Sequence, residues 1–281
     1  MTTTIRTSDG VRLHHTDSGP ASAPGGATVV LVAGYMASAA TWALQVDALV
    51  AAGHRVVCLD RRNHGLSDFP DHGQRMGRHG QDLHEALEQL EISDAVLVGG
   101  SQGASTIWAA LDLHGTARAR AVVSIDQTPR MLNGDGWDLG FYGYERADAA
   151  TYFAESIPQT GRGAGPERTL ATLQVLAARV GGDPAEAIAT LMPGLHPTTL
   201  PLLQDHALQD WRDVVARTAV PVLVVAGRDS QYWPAEHAAA TAALAPQGRA
   251  VVLEDCGHAA NFDQPERFNE ALVEFVAGLP T

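Results

Sequence analysis

The sequence predicts an α/β fold: a mostly parallel, eight-stranded sheet flanked by helices, with a helical cap inserted before the last two strands. Three observations carry this. Short β-branched runs alternate with helix-length stretches, the pattern of βαβ units. Most of those runs are apolar throughout, as strands covered on both faces must be. The alternation stops after Asp126 and resumes near residue 219.

Taken in order, the runs at 3–6 and 11–16 flank Asp9-Gly10, a turn pair that favours an antiparallel hairpin. Strand-like runs follow at 28–33, 55–60, 94–99 and 121–126, separated by helix-like stretches near 38–52, 77–91 and 102–114. Residues 127–218 then read as helices and loops. They hold Trp137, Phe141, Tyr142, Tyr144, Tyr152, Phe153 and Trp211. Strands return at 221–226 and 250–254, with helices near 234–245 and from about 265. This divides the chain into a core of 1–126 plus 219–281 and a cap of 127–218. The glycine-rich stretch 161–165 follows no strand and reads as a cap loop, not a phosphate cradle.

Composition narrows the function. The chain has 281 residues, 19 Lys and Arg against 32 Asp and Glu, and a formal net charge of −13. That balance disfavours nucleic acid and anionic membrane surfaces as partners. The amino-terminal stretch lacks a basic region followed by an apolar run, so no signal peptide is expected. Apolar runs are strand-sized, too short to span a bilayer. The only cysteines, Cys58 and Cys256, lie in apolar segments and read as buried thiols. His72, His79 and His84 match no metal-ligand spacing and read as a solvated loop and helix face. A cytoplasmic, cofactor-free, metal-free enzyme acting on a small molecule is expected, with a homo-oligomer left open.

Chemistry enters at Gly99-Gly100-Ser101-Gln102-Gly103, a G-x-S-x-G between a strand and a helix. A serine nucleophile held on such a turn needs small residues two positions away, and Gly99 and Gly103 supply them. An ordinary N-cap serine is the bland reading; the strand–turn–helix context weighs against it. A weak hydroxyl nucleophile requires a base and a group to orient that base. His258 follows the last strand in Cys256-Gly257-His258, and Asp229 follows the preceding one in Gly227-Arg228-Asp229. The order Ser101, Asp229, His258 makes Asp229 the first choice of acid, with Asp126, at the end of an earlier strand, as its rival. Two N–H groups would complete an oxyanion hole: that of Gln102, beside the nucleophile, and that of Tyr35, in the loop after the 28–33 strand.

These residues resemble the α/β-hydrolase superfamily over nearly the whole chain outside the cap. Asp60-Arg61-Arg62-Asn63-His64-Gly65 is similar to a structural loop of that family, so Arg62 and His64 are not read as catalytic. Within it the chain looks most like small esterases known as cofactor-free haloperoxidases or perhydrolases. It departs from them in two places. Ala33-Gly34 stands where His-Gly is usual, and Gln102 stands where the perhydrolase group often has Met, which counts against peracid formation.

The resemblance implies ester or lactone hydrolysis through an acyl-enzyme on a small apolar substrate. The same scaffold also supports perhydrolysis or other acyl transfer, C–C cleavage and lyase chemistry, and a ligand receptor with little turnover is a third reading. Epoxide and haloalkane chemistry fits less well, because those relatives carry aspartate at the elbow.

Overall fold

A computed structural model describes residues 4–180, 183–192 and 196–280. Eight strands form one sheet: β1 (Thr4–Arg6), β2 (Arg12–Asp17), β3 (Thr28–Val32), β4 (Arg55–Leu59), β5 (Ala95–Gly100), β6 (Ala119–Ile125), β7 (Val222–Gly227) and β8 (Gly248–Leu253). Their order is β1-β2-β4-β3-β5-β6-β7-β8. β1 and β2 form the expected hairpin, with Ile5 opposite Leu13, and β2 runs antiparallel to β4. All other pairings are parallel. Gly10, at φ 89°, makes the hairpin turn in the left-handed region that glycine enters freely.

The helices are α1 (Ala43–Ala51), α2 (Met76–Gln89), α3 (Gln102–His114), α4 (Glu167–Val180), α5 (Pro184–Leu191), α6 (Leu200–Ala207), α7 (Arg212–Arg217), α8 (His237–Leu244), α9 (Ala260–Asp263) and α10 (Pro265–Ala277). Strand side chains alternate between two cores, as a two-residue period requires. Val30, Val32, Leu97, Val222 and Val224 pack with residues of α2, α3, α7 and α8. Val29, Leu31, Val96, Val98, Leu223 and Val225 pack with residues of α1 and α10. Burial on both faces explains why these strands read as continuous apolar runs.

Between β6 and β7, the described residues form helices and loops with two isolated bridges and no named strand. Phe141, Tyr144 and Phe153 from this segment pack with Tyr35, Leu203 and Trp233 in a third cluster. Trp211 does not join them; it belongs to the core beneath α3 and α7. Both cysteines are buried and unpaired, as their apolar contexts predict. His79 departs from expectation: it is 1 % exposed on the inner face of α2, not solvated. Among the described residues, no helix is long and apolar enough to cross a membrane.

Candidate active site

Ser101 sits between the end of β5 and the start of α3 with φ 50° and ψ −126°. That strained conformation is held by its neighbours: Ser101 N–H donates to the Ile125 carbonyl at 2.8 Å, and Ala104 N–H donates to the Ser101 carbonyl at 2.8 Å. The flanking glycines are sterically required. A methyl group at Gly103 would lie 2.2 Å from the Val32 carbonyl oxygen, and one at Gly99 would lie 2.4 Å from the Ala104 nitrogen. Gly34 allows a comparable approach on the facing loop, where an added Cβ would stand 3.3 Å from Ser101 Cβ. The Tyr35 and Gln102 N–H groups flank this contact, and among the described residues neither has a protein acceptor. Gln102 opens α3, so the partial positive charge of the helix terminus adds to its N–H.

His258 faces the same cavity as Ser101, a space of about 160 Å³ that Tyr35, Trp42, Tyr232 and Phe262 also line. Its backbone N–H donates to Gln231 Oε1 at 2.9 Å, and the Tyr232 ring packs edge-on against the imidazole at 4.4 Å between centroids. No hydrogen bond joins Ser101 Oγ to the ring. The imidazole Nδ1 is instead 2.7 Å from Asp126 Oδ2, which leaves Nε2 free for the serine.

The carboxylate bonded to His258 is therefore Asp126, not Asp229, the first choice from the sequence. Asp229 is exposed and makes no contact with His258; its N–H donates to the Cys256 carbonyl and its carbonyl accepts from Ala164 N–H. Asp126 takes that place directly after β6, with φ 42°. There it is fully buried and accepts hydrogen bonds from Ser230 Oγ at 2.6 Å and Gly227 N–H at 3.1 Å. The loop after β7 thus contributes a hydroxyl and an amide to the carboxylate of the neighbouring strand. A second histidine, the wholly buried His237, places Nε2 3.6 Å from Asp126 Oδ1. Burial alone would raise the Asp126 pKa; the two histidines more than offset it and take it down to about 2.

Arg61 lies behind the loop that follows β3, 3 % exposed. It donates to the Ala33 carbonyl at 3.2 Å, the Gly34 carbonyl at 2.8 Å and Gln102 Oε1 at 2.7 Å. One guanidinium thus ties together the loop after β3 and Gln102, the two segments beside the serine. Among the described residues no carboxylate pairs with it, and burial pushes its pKa down to about 9, so it remains a cation at neutral pH. His64 and His79 contact it and are kept neutral by burial and by its charge. Arg62 is structural: it pairs with Asp82 and Asp9.

Sequence reasoning did not single out Arg61, Ser230 or His237, and no motif marks them. A larger space of about 700 Å³ lies between α1 and the α4–α5 pair, but it contains none of Ser101, His258 and Asp126. Cavity size does not locate this chemistry.

Comparison with known proteins agrees with the fold. A family model described as alpha/beta hydrolase fold matches residues 27–265. The chain is 29 % identical over 282 residues to a non-heme chloroperoxidase of Streptomyces lividans, covering 97 % of this chain and 99 % of that protein. It superposes on a bromoperoxidase from Bacillus anthracis with a TM-score of 0.75 at 25 % identity, covering 95 % and 96 % of the two chains. An esterase from Exiguobacterium antarcticum gives a TM-score of 0.77 at 23 % identity, covering 99 % and 100 %, a likeness of fold.

Proposed function

Because the chain belongs to the alpha/beta hydrolase fold family, we propose that it is a serine hydrolase cleaving a carboxylic ester or lactone of a small, largely apolar substrate through an acyl-enzyme. The observation that carries this is the 2.7 Å contact between His258 Nδ1 and the buried Asp126 carboxylate, with the ring and Ser101 in one cavity. His258 Nε2 takes the Ser101 proton as Oγ attacks the carbonyl carbon. Negative charge forming on the carbonyl oxygen is met by the Tyr35 and Gln102 N–H groups. Collapse of the tetrahedral adduct breaks the carbon–oxygen bond, and the leaving oxygen takes the proton back from His258. Water, deprotonated by the same nitrogen, then releases the acid. Asp126 fixes the tautomer and stabilises the imidazolium that forms twice in this cycle.

A fluorophosphonate probe followed by peptide mapping tests the reading directly. One adduct, on Ser101, accompanied by turnover of a short-chain aryl ester, is expected. A folded protein that neither labels nor hydrolyses would refute it.

Arg61 acts through the groups it holds. Arg61→Met removes the donor shared by Ala33, Gly34 and Gln102. It is expected to lower kcat by about 10–100-fold with little change in KM, as loss of oxyanion stabilisation does. Steady-state kinetics on the same aryl ester separates the two constants. A loss borne by KM alone would place Arg61 with substrate binding instead.

A further inference from the structure

Two cavities meet at Ser101. The outer one also contains His258. The inner one, about 20 Å³, reaches from Ser101 and Gln102 to His206 on α6, between Met131, Phe141 and Leu203, and is not lined by His258. We propose that the inner chamber is the acyl subsite, and that it takes a short acyl group bearing an oxygen acceptor on its second carbon, a 2-hydroxyacyl or 2-oxoacyl group. This rests on the ester-hydrolase reading above.

The division of labour follows from proton transfer. His258 must hand its proton to the leaving oxygen, so the leaving group occupies the cavity that His258 lines, and the acyl chain turns the other way. A chamber of that volume holds about one water-sized group. One carbon or oxygen beyond the second carbon fills it.

Polarity at the floor then selects between carbon and oxygen. Gln102 is fully buried, and Arg61 donates to its Oε1, which fixes the amide so that Nε2 is the free end. Among the described residues that Nε2 has no partner. His206 is 5 % exposed, and among the described residues its buried Nδ1 has no hydrogen-bond partner. Burial and the nearby Arg61 charge push its pKa down to about 3, so it is a neutral imidazole with one N–H to give. Two donors without acceptors call for an oxygen atom. The donors are held in place: Asp205 on α6 accepts from the Met76 N–H at 2.7 Å, which pins the helix that carries His206.

Phenyl esters of acetate, propionate, butyrate and glycolate test this, with each kcat/KM divided by the ester's hydroxide-catalysed rate to remove intrinsic electrophilicity. Glycolate, with the size of propionate but a hydroxyl in place of the methyl, is expected to exceed propionate by about tenfold or more. Butyrate is expected to fall about tenfold below propionate. His206→Phe should bring the glycolate-to-propionate ratio towards unity, whereas His206→Gln, which keeps a donor, should retain part of it. If His206→Phe does not fold, the wild-type series alone decides. A wild-type ratio near one, or butyrate equal to propionate, overturns the acyl-subsite proposal while ester turnover and Ser101 labelling leave the hydrolase reading standing. Absence of both turnover and labelling overturns the two together.

Discussion

Ser101→Ala is expected to lower turnover of an aryl ester by about 10⁴–10⁶-fold, since nucleophile, base and acid act as a unit. Some residual rate should persist, because the proposed oxyanion donors, the Tyr35 and Gln102 N–H groups, are untouched. The substitution leaves the fold in place. Alanine keeps the Cβ, and the backbone bonds that set φ to 50°, to the Ile125 carbonyl and from Ala104 N–H, involve no side-chain atom. Loss of turnover with an unchanged thermal midpoint is therefore the expected pair of results, read by steady-state kinetics and calorimetry. The fluorophosphonate adduct should vanish as well. A variant that kept turnover within about tenfold of wild type would remove Ser101 from the chemistry.

The elbow was legible because its requirements are local. Gly99 and Gly103 are forced by contacts within a few residues and with β3, so sequence spacing alone exposes them. The sheet was legible for a related reason: strands buried on both faces carry unbroken apolar runs, and β3, β5 and β7 are such strands. Helix α2 shows the limit. His79 looks like one histidine among several on a polar helix, yet it turns inward because Arg61 offers a polar partner inside the core. A buried cation satisfied by main-chain carbonyls leaves no pattern in the sequence, so nothing in Asp60-Arg61-Arg62 separates the brace from its neighbour.

The acid shows the same limit more sharply. Asp126 and Asp229 follow the neighbouring strands β6 and β7 within two residues, and both stand before His258 in the chain. Which one reaches the imidazole depends on backbone direction after the strand, here the positive φ of Asp126, and on where Ser230 points. Neither is readable from spacing. Chain order favoured Asp229; the hydrogen bonds favour Asp126.

A pair of substitutions separates the two carboxylates. Asp126→Asn is expected to reduce kcat by about 10³–10⁴-fold, and Asp229→Asn to leave it within about twofold. The asparagine amide is neutral and cannot stabilise an imidazolium. Its oxygen could still accept from His258 Nδ1, but its NH₂ would then confront the Gly227 N–H that now donates to Oδ1, so the tautomer of His258 is no longer fixed. Asp229, exposed and bonded only through its main chain, has no such role to lose.

Stability should separate them too. The folded Asp126 pKa of about 2 lies below the unfolded carboxyl value near 4, so its ionised form contributes about 2 kcal/mol. That contribution is fully present above about pH 4 and is lost as pH falls through about 2. The stability gap between wild type and Asp126→Asn should therefore narrow as pH falls below about 4, whereas Asp229→Asn should follow wild type there. Denaturant titrations at a series of pH values measure both curves. Collapse of activity in Asp229→Asn, with Asp126→Asn near wild type, would return the acid to the loop after β7.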